Sequence, residues 1–434
     1  MQIKLKTFKQ RRKNLANLIK GGIAIIRSGS EKTRSNDTFY PYRSNSYFEY
    51  FSGFPEPDSI LVIMAKPLKS IIFSKTKNPE KEIWDGYIYG PEKACIDFNL
   101  DEGLPIQEFD KFLKDILITE ENIYLLDEDV ELRSKLSHIA LSIKGSARSR
   151  LQKKNQISSL NYYADQLRII KSKEEIDCIR KACSISSSAH RYVMENIHND
   201  SNEFQIDARL NFIFSMQGAQ AEAYKSIVAS GSNACTLHYI KNNSKLNKGD
   251  LVLIDAGCEY NHYASDITRT FPIDGSFSAP QRDVYEIVLA AQKKAIDQVK
   301  KNNRFDDPHK SAVEVLSQGL IDLKVLKKSI SEIVEKKLYA KFFMHRTSHW
   351  MGMDVHDVGN YFTANSGSAV LSDGQVLTIE PGLYFADNAS VPKAFRGIGI
   401  RIEDDVLVSG KEAEILTSDC PKEISALESI IGKS

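Results

Sequence analysis

At 434 residues, against a norm of about 150 per domain, the chain has material for two or three domains. Hydrophobic residues at 42% and charged residues at 26% are the balance of a folded globular protein, which excludes disordered and collagen-like classes. Its 58 basic and 57 acidic side chains leave a formal charge of +1, which argues against bulk electrostatic partners such as nucleic acid or an anionic membrane. No stretch approaches the roughly 18 apolar residues of a membrane helix. The basic segment Met1 to Asn14 leads only into the short apolar run Gly22 to Ile26, too brief for a signal peptide. Six scattered cysteines with no C-x-x-C pair are expected reduced and buried, which points to a cytoplasmic protein.

In chain order, strand-like runs at Ser59 to Met64 and Ser70 to Phe73 alternate with helical stretches and predict an α/β unit. The basic run Lys144 to Lys154 reads as a solvated helix face. Ser172-Lys173-Glu174-Glu175 has the form of a capping box, and Ile176, Ile179, Cys183 and Val193 follow on one helical face. A new unit therefore opens there, giving an α/β domain over 1–171 and a second domain over 172–434. Asp250 to Gly257 reads as a buried strand ended by a turn. Ser278-Ala279-Pro280 starts a helix running toward Lys300, and Gln375 to Glu380 and Ile398 to Val406 are further strands. The whole is predicted as α+β, with strands lining a site and helices outside.

Five side chains lie on or beside those strands: Asp255, Asp266, His349, Glu380 and Glu403, with spacings of 11, 83, 31 and 23 residues. Asp255, Glu380 and Glu403 end or interrupt apolar runs, where an unpaired carboxylate is costly to bury. Cations must offset them, and metals are the natural candidates. Four carboxylates carry −4; one divalent ion leaves −2, whereas two ions balance the charge. Oxygen-rich ligands with one imidazole suit Mn²⁺ best, with Co²⁺ or Zn²⁺ as alternatives. Two bridged ions, typically about 3.5–4 Å apart, make a nucleophile of the solvent between them, so the reading is a hydrolase.

Five segments carry a family resemblance: Leu253 to Gly257, Ser265 to Phe271, His345 to Gly359, Thr378 to Tyr384 and Gly399 to Asp405. In that order they resemble the metal-site segments of the pita-bread metallopeptidases, most closely the aminopeptidase P family. Tyr40 to Phe54 resembles that family's N-terminal domain, of the creatinase-like N-terminal type. The resemblance implies a pita-bread catalytic domain, a curved antiparallel sheet with outer helices. Asp255 would serve one metal, Asp266 and Glu403 would bridge both, and His349 and Glu380 would hold the other. It further implies catalytic roles for His238, His356 and Arg401, with His356 at the substrate carbonyl. The implied substrates are peptides with proline in second position. An Xaa-Pro bond is a tertiary amide with no N–H, which general peptidases grip poorly. The pocket for the pyrrolidine ring would be lined by His238, His345, Tyr384 and Arg401. It would be capped by Trp84 from a neighbouring subunit, in a dimer or tetramer.

The chain departs from the family pattern at Arg346-Thr347, where small or apolar residues are usual, and at Ala234, where glycine is common. Arg346 is thus expected to alter the pocket beside His345. Three other readings compete: a prolidase restricted to dipeptides, a methionine aminopeptidase, and a non-catalytic pita-bread peptide-binding protein. The size of the N-terminal domain argues against the second, and the presence of all five ligand residues against the third.

Overall fold

The computed structural model describes residues 3–19, 21–144, 155–363 and 367–431. The chain divides into two compact units, Ile3–Arg168 and Ile169–Ser434. The basic run Lys144 to Lys154 lies outside the described residues, apart from the helical backbone of Lys144 at the end of Val130–Lys144.

In the N-terminal unit, the apolar runs Ile60–Ala65, Ile23–Arg27 and Asn122–Leu125 lie inside a six-stranded mixed sheet, together with Leu68–Ser74. Glu102–Pro105 and Gln156–Ser159 form its edges. Val62, Ile71, Phe73 and Ile123 are buried in one cluster with Leu113 and Ile116 of helix Phe109–Thr119 and Leu132 and Leu136 of helix Val130–Lys144. Helix Pro79–Asp85 behaves differently. Asn78 caps it and proline opens it, yet none of its residues is buried, and Trp84 is 87% exposed. Among the described residues no helix is long and apolar enough to cross a membrane.

The second unit opens with both halves of the Ser172/Glu175 capping box formed, starting the 24-residue helix Lys173–Asn196. Ile179, Ala182, Cys183, Ser186, Ala189 and Val193 recur at helical spacing on its buried face. A second capping box at Ser278 and Gln281, with proline in the first turn, starts helix Ala279–Ile296, which stops short of the expected Lys300. The strands these helices cover are antiparallel. Leu251–Asp255 lies between Ile227–Ser230 and Thr268–Pro272, Asp404–Ser409 lies between Val376–Ile379 and Glu412–Ile415, and Gly382–Phe385 pairs with Ile398–Arg401. Most of these strands are buried throughout, so their apolar runs are continuous rather than alternating.

One expected strand is broken. Ile398 to Val406 reads as a single run, but Ile402 and Glu403 separate strand Ile398–Arg401 from Asp404–Ser409, and the two halves belong to different sheets. The reason lies across the break. Ile402 N–H donates to Pro381 O at 3.3 Å and Glu403 N–H to Thr268 O at 3.0 Å, while the Thr268 hydroxyl donates to the Glu403 carboxylate at 2.6 Å. Pro381 keeps the register of the Gly382–Arg401 pair but has no N–H to return to the ladder, and Glu403 N–H turns instead to Thr268 in another sheet, so the pairing breaks and a carboxylate is left facing inward.

Candidate active site

Four of the five expected ligand residues sit at a strand end or gap. Asp255 is the last residue of Leu251–Asp255, Asp266 precedes Thr268–Pro272, Glu380 follows Val376–Ile379, and Glu403 occupies the break. Gly257 lets the first two approach, because a Cβ there would stand 1.8 Å from the Ser265 carbonyl oxygen. His349 comes from an irregular segment laid beside Val376–Ile379 and is tied to Thr378 by one backbone and one side-chain bond: Thr378 N–H donates to His349 O at 3.0 Å and His349 N–H to the Thr378 hydroxyl at 3.1 Å.

Asp266, His349 and Glu403 offer ligand atoms that all lie within 4.8 Å of one another, the one such group among the described residues. His349 Nε2 stands 3.4 Å from Asp266 and 3.8 Å from Glu380. Its Nδ1 faces the Trp350 carbonyl at 3.0 Å, so the Nδ1 proton is donated there and Nε2 is directed into the carboxylates. Asp255 adjoins the group through Tyr224, whose hydroxyl reaches Asp255 at 2.6 Å and also contacts Asp266, and it pairs with Arg401.

In the absence of metal these residues would hold protons that a divalent cation replaces. Burial drives the carboxyls of Glu380, Asp266 and Glu403 up, and the neighbouring carboxylates add to the shift. Glu380 reaches about 7 and Glu403 rises well above its ordinary range. Burial pulls His349 down, but Asp266 and Glu380 outweigh it and lift the imidazole to about 9. Crowded carboxylates with an imidazole turned toward them are a donor set that fits hard or borderline divalent ions.

A pH dependence follows. A group whose folded pKa is raised stabilises the fold below its unfolded value, and that contribution is lost as pH rises through the folded value. For Glu380 the window runs from 4.5 to about 7 and for His349 from 6.5 to about 9, both with the same sign. The stabilisation given by added divalent metal should therefore grow as pH rises through these windows, since ligands must lose protons to bind. Melting curves of chelator-treated protein with and without Mn²⁺ at pH 6, 7 and 8 check this; a gap in Tm constant with pH would contradict it.

Around the cluster lies a cavity of about 820 Å³ whose lining includes all five ligand residues with His238, His345, His356 and Arg401. Tyr384, expected on the wall, is not part of the lining. It is buried, and its hydroxyl accepts from Arg401 Nη1 at 3.0 Å and faces His345 Nε2 at 2.8 Å. His345 Nδ1 in turn faces the Arg346 carbonyl at 2.8 Å, so Nδ1 carries the proton and Nε2 accepts from Tyr384. Burial and the Arg401 charge push His345 down to about 3, which keeps it neutral. Tyr384 thus holds two wall residues from behind.

Arg346 lines the cavity mouth and pairs with Asp306, while Thr347 is buried and bonds His309 Nδ1 at 2.8 Å. The bulk at this position is therefore turned to the rim. Ala234 is buried against Leu253 and Tyr384. Two further site residues, Tyr224 and Thr268, escape sequence reasoning: they are neutral hydroxyls that hold carboxylates, and nothing in charge or periodicity marks them. Trp84 belongs to the N-terminal unit, and its exposure excludes core packing.

Comparison with known proteins decides the family. Residues 177–410 match Metallopeptidase family M24, and residues 8–124 match the aminopeptidase P N-terminal domain. The chain belongs to metallopeptidase family M24. It is 38% identical to the Xaa-Pro aminopeptidase of Haemophilus influenzae, over 98% of this chain and 96% of that one. It superposes on the Pseudomonas aeruginosa aminopeptidase PepP with a TM-score of 0.95 at 36% identity, covering 99% of this chain and 98% of that one. Aminopeptidase P from Escherichia coli with the inhibitor Pro-Leu gives 0.95 at 35% identity, with the same coverage of 99% and 98%. The fold is accordingly that of aminopeptidase P: a pita-bread catalytic domain preceded by a smaller N-terminal domain. As a member of this family the chain is a metallopeptidase, a hydrolase that binds divalent metal.

Proposed function

We propose that the chain removes the first residue from peptides with proline in second position. One observation carries the reading: a single cavity joins the carboxylate and imidazole cluster to His238, His345, His356 and Arg401, in a chain similar over its whole length to Xaa-Pro aminopeptidases. Asp255, Asp266, His349, Glu380 and Glu403 would hold two divalent ions, with Asp266 and Glu403 shared. The domains are assigned as 1–171 and 172–434. Mn²⁺ fits the oxygen-rich donors best, and Co²⁺ and Zn²⁺ also fit. When bound, such ions would supply a water nucleophile at neutral pH and positive charge for the developing oxyanion.

The chain's own residues do the rest. His356 offers a neutral ring N–H to the scissile carbonyl oxygen. His238, His345 and Arg401 form the wall against the pyrrolidine ring, and Tyr384 fixes the last two through its hydroxyl. That wall needs no backbone N–H from the substrate, which suits a tertiary amide. The six cysteines are free, consistent with the cytoplasm as the compartment. The test is Mn²⁺-dependent release of the first residue from Xaa-Pro-Yaa, with Xaa-Ala-Yaa as control and Xaa-Pro as dipeptide. Cleavage of the dipeptide alone would make the enzyme a prolidase, and no cleavage with metal bound would support a peptide-binding role.

Trp84 extends the proposal to assembly. An indole 87% exposed on a helix with no buried residue fits an aromatic that caps the pocket of a neighbouring subunit. Trp84→Ala should weaken peptide binding by about 1–3 kcal/mol, the scale of a buried aromatic anchor, with metal content unchanged. Asp255→Ala and Trp84→Ala chains, each impaired alone on a substrate that needs the indole, should regain activity when mixed under subunit exchange. Absence of recovery under proven exchange would confine Trp84 to its own chain.

A further inference from the structure

His238 is exposed and takes part in no hydrogen bond among the described residues, so only its backbone places it. That backbone is a short turn, Gly231–Cys235, followed by residues without regular structure up to 245. One side chain from outside the segment reaches three of its residues and Ser230 just before it. Glu203, the first residue of helix Glu203–Met216, is fully buried, and its two oxygens collect five donors. Oε1 accepts from Ser230 N–H at 2.8 Å, the Ser230 hydroxyl at 2.8 Å and Asn233 Nδ2 at 2.9 Å. Oε2 accepts from the Tyr239 hydroxyl at 2.9 Å and Ser244 N–H at 2.8 Å. Burial would push this carboxyl up, but the donors hold it below its usual range, so it stays ionised. These contacts pin the loop before His238, at the residue beside it and after it.

We propose that Glu203 is a positioning residue for His238, staking the loop so that the exposed imidazole meets the substrate. The inference rests on the reading of His238 given above. A carboxylate is suited to the task because it is acceptor-only at both oxygens. Glutamine at the same place would turn an NH₂ group toward donors on one side and release that side of the loop.

The test is a double-mutant cycle on the metal-loaded enzyme with Glu203→Gln, His238→Ala and the pair, with metal content measured in each. Glu203→Gln is expected to keep its metals and to lose about 10- to 100-fold in kcat/KM, the scale of a displaced contact. It should divide that loss between kcat and KM as His238→Ala does. In the His238→Ala background, Glu203→Gln should cost less than about twofold, because the group it positions is gone. Independent multiplication of the two losses, or an unchanged kcat/KM for Glu203→Gln, overturns the proposal. Full activity of His238→Ala alone overturns the reading of His238, and the proposal with it, and is seen in that single variant. If Glu203→Gln does not fold, Tyr239→Phe decides. It removes the donor next to His238 and should lose several-fold in kcat/KM with His238 present and nothing without it; an unchanged kcat/KM overturns the proposal.

Discussion

Asp266→Ala and Glu403→Ala are each expected to abolish binding of the metal pair and all measurable activity. These two carboxylates form, with His349, the tightest ligand group among the described residues, and Glu380 and Asp255 flank it. Removing a central carboxylate takes one unit of charge from the cluster and, in the proposed two-ion arrangement, would take a ligand from both ions. In the same proposed arrangement, removing Asp255 would take a ligand from one ion only, so Asp255→Ala should keep part of its metal. Asp266→Asn adds a second readout. It keeps the shape but removes a charge that both repels the neighbouring carboxylates and holds the His349 imidazolium, so above pH 9, where His349 is neutral and only the repulsion remains, the apo variant should melt no lower than the apo parent although it binds metal poorly. Elemental analysis and melting curves check both. Full activity at one ion per chain, with no gain on adding a second, would contradict the two-ion arrangement.

What the sequence reveals about this site depends on charge and burial. Asp255, Glu380 and Glu403 stand out because a carboxylate at the end of an apolar strand needs a partner, and the capping boxes at Ser172 and Ser278 announce their helices by spacing alone. The break at Ile402-Glu403 is not legible, because Thr268, which takes the Glu403 N–H and holds its carboxylate, is distant in sequence and lies in another sheet. Tyr224 and Thr268 are hidden for a related reason: a hydroxyl is as common in a core strand as at a site, and only proximity gives it a role. The family resemblance puts Tyr384 in the cavity wall, yet its hydroxyl is occupied by Arg401 and His345, which places it one layer back. Glu203 reads as an ordinary first-turn acid of a helix, and its five donors all come from residues 230 to 244.

His356→Ala is expected to lower kcat by about 10²-fold or more while leaving the metals in place, the scale of one lost transition-state hydrogen bond. The two neighbouring histidines are told apart by their hydrogen bonds. His349 gives its Nδ1 proton to Trp350 and aims Nε2 at Asp266 and Glu380, as a metal ligand should. His356 stands edge-on to it, ring centroids 4.4 Å apart and planes at 88°, and takes part in no hydrogen bond among the described residues. Burial and the imidazoles of His349 and His238 push its pKa down, so near neutral pH it is uncharged and keeps one N–H for a substrate oxygen. Its loop is held independently of the metals by the fully buried pair of Lys171 and Asp357, 2.9 Å apart. His349→Ala, by contrast, should lose metal. Metal titration of both variants, alongside kcat measured at saturating metal, separates the roles; a His356→Ala enzyme that no longer bound its metals would require the two assignments to be exchanged.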